Sequence, residues 1–172
     1  MSVVLLNESM VHYEVLGRGR PVIFLHGWVG SWRYWISSMQ VASTSFRAYA
    51  LDLWGFGGTS HQTRNPEMYS LSNQTALLNS FLEEMGIGKI ALVGHGWGAL
   101  VGLEFTVRHP DLVDRVMVTN CPLDIGSVDS RLFNEPLDSL VNSFASNLPA
   151  GSDAALSEAR NTDPAAISAS LN

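Results

Sequence analysis

Between Arg20 and Asn120 one arrangement recurs: an apolar run of strand length, then a longer stretch with helical spacing. The runs are VIFLHG (22–27), FRAYALD (46–52), KIALVG (89–94) and DRVMVTN (114–120). Three of them are continuous rather than alternating in polarity, as strands buried on both faces of a parallel sheet must be. The stretches between them are YWISSMQVAST (34–44), Leu71–Met85 and GALVGLEFTVRHP (98–110). In the second of these, Leu77, Phe81 and Met85 recur at every fourth position with Leu78 and Leu82 beside them, and Gly86 stands where a helix cap belongs. The alternation predicts an α/β fold: a mostly parallel sheet with helices on both faces and any site at the carboxyl ends of the strands.

Two further strands are expected before this unit, Val3–Leu6 and Met10–Leu16, around a turn at Asn7-Glu8. After Cys121-Pro122 the pattern becomes helical only, over Glu135–Ser146, Ala154–Arg160 and a segment opening at TDPAAISASLN. There Asp163 suits the N-cap and Pro164 the first helical position. Charge shifts at the same point. Residues 123–172 carry seven acids and two arginines, whereas residues 1–122 carry nine acids and eight bases. The expected division is therefore 1–122 as the α/β core, holding the first six strands, and 123–172 as a separate helical segment.

Composition excludes several classes. The chain has 172 residues, is 46% apolar and carries a formal charge of −6. That is enough for one core, and no nucleic-acid footprint is expected. No apolar run approaches the ~20 residues of a membrane span, so no membrane partner is expected. The N-terminus lacks a basic region and a cleavage site, and Cys121 is the only cysteine, which together suggest a cytoplasmic chain. The five histidines show no metal-ligand spacing, so neither a metal nor a cofactor is expected.

The functional question rests on LVGHGWGA, Leu92–Ala99, a strand end, a glycine turn and a helix start. Gly94-x-Gly96-x-x-Ala99 matches the dinucleotide-binding fingerprint. That reading also needs an acid at the end of the next strand, where Asn120 stands. Gly94-His95-Gly96-Trp97-Gly98 equally matches the G-x-S-x-G nucleophile elbow at every position except the nucleophile.

Two distant segments support the second reading. LHGWVGSWRYW (25–35) resembles the HG loop of α/β-hydrolases, and LDLWGFGGTS (51–60) resembles their D-x-x-G-x-G-x-S turn, with Thr59 for the serine. With all three in order, residues 10–122 are identified as an α/β-hydrolase family chain, similar to small esterases, C–C hydrolases and haloperoxidase-like members. The tail then looks like the start of the family's helical cap. Trp97 after the apex also resembles epoxide hydrolases and dehalogenases, which use Asp as nucleophile. Those usually carry Pro where this chain has Val29, so the serine branch is favoured.

The resemblance implies nucleophile–His–acid hydrolysis of small carboxylic esters or related acyl substrates, with the oxyanion held by the backbone N–H groups of Trp28 and Trp97. Gly94, His95 and Gly98 would shape the elbow. Gly96, the vacant nucleophile position, has no attacking atom, and the family's late histidine has no counterpart here, so the chain as written is expected to be inactive. A non-catalytic protein that keeps a pocket for a ligand or partner is the alternative.

Other residues are expected in structural roles. His26 serves as a structural hydrogen bonder, His95 is buried beneath the turn, and His109 faces solvent. His12 and His61 have no partner pattern. Asp52 fixes its own turn, Asp124 orients nothing without a histidine, and Cys121 is a buried inert thiol. Trp28 and Trp97 are better pocket candidates than Trp35 or Trp54, while Trp32 and Trp35 pack in the core. If the sheet stops at VMVTN, that strand is an apolar edge; the favoured expectation is that the chain is an excerpt of a longer protein, the others that a second copy or a complementing chain pairs with the edge, or that the chain is a degenerate family member prone to associate.

Overall fold

The apolar runs pair into one sheet. In the computed structural model, which describes residues 2–59, 65–145 and 153–171, the strands are β1 (Ser2–Leu6), β2 (Ser9–Gly17), β3 (Arg20–Leu25), β4 (Phe46–Leu51), β5 (Ile90–His95) and β6 (Val113–Thr119). Their spatial order is β1-β2-β4-β3-β5-β6. The β1–β2 and β2–β4 pairs are antiparallel, and the other three pairs are parallel. Asn7 and Glu8 both take positive φ, 48° and 66°, the two-residue turn whose twist suits a hairpin.

Successive residues of β3 and β4 go to opposite faces of the sheet, and each face has its own cover. Val22, Phe24, Ala48 and Ala50 pack with Met39 of α1 (Ile36–Ala42). Ile23, Leu25, Tyr49 and Leu51 pack on the other side with Leu78, Phe81 and Leu82 of α2 (Leu71–Glu84) and with Phe105 of α3 (Trp97–Arg108). Full burial of a side chain such as Phe81, at 0% exposure, contributes about 1.5–3 kcal/mol. Helix α2 ends as its glycine predicts. Gly86, at φ 61°, donates to Glu83 O at 3.1 Å, and Ile87 donates to Leu82 O at 2.8 Å, so two terminal carbonyls are satisfied.

The tail departs from expectation at one point. The helix expected over Glu135–Ser146 is α5 (Leu137–Ala145), and a short helix that the sequence did not signal, α4 (Arg131–Asn134), precedes it; Ser146 lies outside the described residues. Pro136 forces the residue before it out of the helical region, and Glu135 is extended at φ −103°, ψ 143°. Helices α6 (Asp153–Ala159) and α7 (Pro164–Ser170) follow, with Asp163 capping α7 by accepting from Ala165 N at 2.8 Å.

The tail is tied to the sheet's carboxyl end. Arg33 meets Glu158 at 2.6 Å, the Tyr69 hydroxyl donates to Asp163 at 2.6 Å, and the Trp28 indole N–H donates to the Ser170 hydroxyl at 2.7 Å. Leu132, Leu140, Val141, Ala159 and Ile167 form a small core with Val29, from the loop after β3. Strand β6 lies at the sheet's edge, with Val116 and Met117 38% and 59% exposed. No helix among the described residues is long and apolar enough to cross a membrane.

Candidate functional site

Strand β5 ends at His95, α3 begins at Trp97, and Gly96 alone makes the turn between them, at φ 54° and ψ −117°. Its N–H donates to Thr119 O at 3.1 Å, which joins the turn to β6, and Gly98 N–H donates to His26 O at 3.0 Å, which joins it to the loop after β3. The flanking glycines are required by distance. A Cβ on Gly94 would lie 2.5 Å from Gly98 O, and one on Gly98 would lie 2.4 Å from Leu25 O. Position 96 differs. A Cβ there would meet Gly27 Cα at 3.4 Å and the Trp28 ring at 3.5 Å, ordinary contact distances. The apex has room for a side chain at a backbone angle that L-residues rarely adopt.

A cavity of about 490 Å³ opens beside the apex, lined by Gly27, Trp28, Tyr34, His95 and Gly96 from the core and by Leu132 from the tail. A smaller cavity of about 250 Å³ adjoins it at Tyr34, Trp35, His95 and Thr119. Among the described residues, the backbone N–H groups of Trp28 and Trp97 donate to no protein acceptor. Trp97 itself is buried and stacks on Trp28 at 5.7 Å. Only Trp28 of that pair lines the cavity. Trp54 is buried away from it, its backbone N–H donating to Gln74 at 2.9 Å. Trp35 rests 5.1 Å from Phe24 and also borders the smaller cavity.

The histidines divide by their partners. His26 uses both ring nitrogens: Nδ1 donates to Gly27 O at 2.8 Å, and Nε2 accepts from Leu53 N–H at 3.1 Å. Burial lowers its pKa and holds it neutral, in a structural role. His95 is half-buried rather than sealed beneath the turn, because its ring borders both cavities. Its Nδ1 lies 3.0 Å from the Thr119 hydroxyl, and burial lowers its pKa. His109 does not face solvent fully; it is half-buried, 4.7 Å from the Phe105 ring. His61 lies outside the described residues.

His12 is the clearest correction. It lacks a partner pattern in sequence, yet it is buried and bonded to Asp52, Nδ1 to Oδ2, at 2.8 Å. That bond raises its pKa most, aided by the charges of Asp52 and Glu14 and opposed by burial. Asp52 therefore does more than fix its own turn: it accepts from Gly58 N–H and Trp32 N–H at 2.7 Å each as well. Thr59 completes the unit, its hydroxyl donating to Asp52 O at 2.7 Å and accepting from His12 N–H at 3.2 Å. Cys121 is half-buried, not buried, and burial pushes its thiol up. Asp124 is exposed and caps a short turn by accepting from Ser127.

Sequence reasoning missed Tyr34, Thr119 and Leu132 as cavity residues. Tyr34 lies on the 3-10 turn Trp32–Trp35 and aims its hydroxyl at Val29 O, 3.1 Å away. No residue pattern signals that direction. Among the described residues, no group of three or more His, Cys, Asp or Glu side chains is placed to hold a metal ion.

A mostly parallel sheet that turns from strand to helix through one glycine, above a cavity at its carboxyl end, defines an α/β protein of hydrolase type. The model for the alpha/beta hydrolase fold matches residues 20–153, and the chain belongs to that family. Epoxide hydrolase 3 of Xenopus tropicalis is 34% identical over 113 residues, 64% of this chain and 30% of that protein. The soluble epoxide hydrolase of Corynebacterium sp. (strain C12) is 30% identical over 114 residues, 66% of this chain and 39% of that protein. The chain thus spans about a third of the length of these relatives. Among solved structures, epoxide hydrolase VrEH1 from Vigna radiata superposes with TM-score 0.67 at 25% identity, covering 83% of this chain and 45% of that one. An N-acyl homoserine lactonase superposes with TM-score 0.86 at 19% identity over 98% of this chain and 67% of its own, a likeness of fold alone.

Proposed function

We propose that Gly96 occupies the position from which relatives attack their substrate, so that this chain binds a small, largely apolar ester-like molecule without turning it over. The observation that carries this reading is the backbone of residue 96. It holds φ 54° at the junction of strand and helix, with space for the side chain it lacks. In this reading the free N–H groups of Trp28 and Trp97 are the donors for a carbonyl oxygen, and Gly94, His95 and Gly98 form the elbow. A bound ester would be polarised there, but with no hydroxyl or carboxylate at position 96 no covalent intermediate forms.

The proposed division is a core of residues 1–122 and a cap beginning at residue 123. Leu132 on the cavity wall and the Trp28–Ser170 bond support a cap role for the tail. The ester assignment follows Val29. A second reading, an epoxide, is favoured by the relatives, both of which are named as epoxide hydrolases. The single Cys121 supports a cytoplasmic location.

Phenyl acetate and styrene oxide distinguish these readings. Titrated against the chain, an ester ligand should quench tryptophan fluorescence saturably, and neither compound should be hydrolysed above the buffer rate. Tighter binding of styrene oxide would replace the ester by the epoxide. Sustained hydrolysis by the unaltered chain would overturn the non-catalytic reading. Gly96→Ser should also show no sustained rate, because His12 and His26 are bonded elsewhere, His109 packs on Phe105, and His95 turns Nδ1 to Thr119.

A further inference from the structure

The opposite end of the sheet carries a feature that the hydrolase reading does not use. Strands β3, β4, β5 and β6 begin there, and antiparallel β2 ends there. In the spatial order β2, β4, β3, β5, β6, each of these strands brings one base to that end. They are Arg18 just past β2, Arg47 in β4, Arg20 opening β3, Lys89 just before β5, and Arg115 in β6. Half of the chain's ten bases therefore form one row on a protein of net charge −6. At a strand spacing of about 4.8 Å the row is about 19 Å long.

The row is not flat. Arg20, Lys89 and Arg115 line a depression of about 250 Å³ floored by Pro21 and Phe46, and Arg18 and Arg47 line a second of about 390 Å³. All five bases are exposed. Among the described residues, Arg18, Arg20, Arg47 and Lys89 form no ion pair. Arg20 and Arg47 instead lie over the Phe46 and Tyr49 rings, at 5.9 and 5.3 Å. Asp114 is the one carboxylate lining either depression, and it meets Arg115 at 3.5 Å on open surface. The acids of the α2 end and Asp111 lie near this end of the sheet but line neither depression.

Gathering like charges opposes folding, and the core beneath this end is packed without them: Ile90, Ala48 and Val22 are buried. The arrangement therefore has a use outside folding. We propose that the depression at Arg20, Lys89 and Arg115 binds a small molecule bearing two or more phosphate groups. Three bases on successive strands call for several charges in one compact ion, and a lone carboxylate neutralises only one of them. Guanidinium forks also match phosphate oxygens in pairs. A nucleic acid fits less well, because the acidic remainder of the surface repels a long polyanion beyond the depression.

Inorganic pyrophosphate is the probe, titrated calorimetrically into the 172-residue chain at fixed ionic strength. The expected result is saturable one-to-one binding that weakens at least about tenfold in the double variant Arg20→Ser/Lys89→Ser. Arg131→Ser, which removes a base paired with Asp129 in the tail, should bind as the unaltered chain does. No saturation up to millimolar pyrophosphate, or equal binding by the double variant, would overturn the proposal. So would binding of a single-stranded oligonucleotide, or of phosphatidylcholine vesicles containing a bisphosphorylated inositol lipid, without binding of pyrophosphate. Gly96 variants should leave the titration unchanged, so this result stands or falls apart from the reading of the cavity.

Discussion

Asp52 accepts from three separate segments, the His12 ring, the Trp32 backbone and the Gly58 backbone, and it is fully buried. Two histidines near it respond to pH in opposite directions. The folded pKa of His12 lies above its ordinary 6.5, chiefly through the bond to Asp52. Its contribution to stability is complete below about pH 6.5 and is lost as pH rises through the folded value. His26 has its pKa lowered by burial, so acidification below about pH 6.5 favours the unfolded chain, where it protonates freely. Stability measured by urea unfolding should therefore peak near pH 6.5 and fall on both sides. His12→Gln should remove the fall above the peak while leaving the acid limb. A profile that keeps its alkaline fall in that variant would assign the fall to another group.

At the scale of elements, the strand-to-helix turn depends on its glycines unequally. Gly94 and Gly98 sit where backbone atoms come within 2.5 Å of any added Cβ, so β5, α3 and the loop after β3 would have to separate. Gly94→Ala and Gly98→Ala should each destabilise by about 3 kcal/mol or more in urea unfolding. Gly96→Ala faces only the backbone angle, because its Cβ has space, and should cost about 1–2 kcal/mol. Equal losses at positions 94 and 96 would contradict this account of the turn. The G-x-G-x-G spacing already marks all three positions in sequence. It does not say which glycine serves close packing and which serves conformation. That distinction depends on where Leu25, His26 and Gly27 pass the turn, some 70 residues earlier in the chain.

For the whole molecule, the edge at β6 matters most. Among the described residues no strand pairs with its outer side, and Met117 is 59% exposed. A second copy or a complementing strand is the proposed occupant of that edge. Sedimentation should show association that rises with concentration, and Met117→Lys should reduce it severalfold. A chain that stays monomeric at high concentration would rule out self-pairing.

The sequence alone determined the kind of sheet and the place of its turn. Continuous apolar runs such as VIFLHG favour burial on both faces, and capping residues such as Gly86 and Asp163 act on their immediate neighbours. Such effects are local, so they can be read in order along the chain. It did not mark the short helix Arg131–Asn134, which ends where Pro136 holds Glu135 extended. Tertiary structure alone decided the His12–Asp52 pair, the docking of α7 on Trp28 and the row of five bases. Each joins residues from segments far apart in sequence. Their meeting depends on the strand order β1-β2-β4-β3-β5-β6, set by packing of the whole sheet rather than by any one segment.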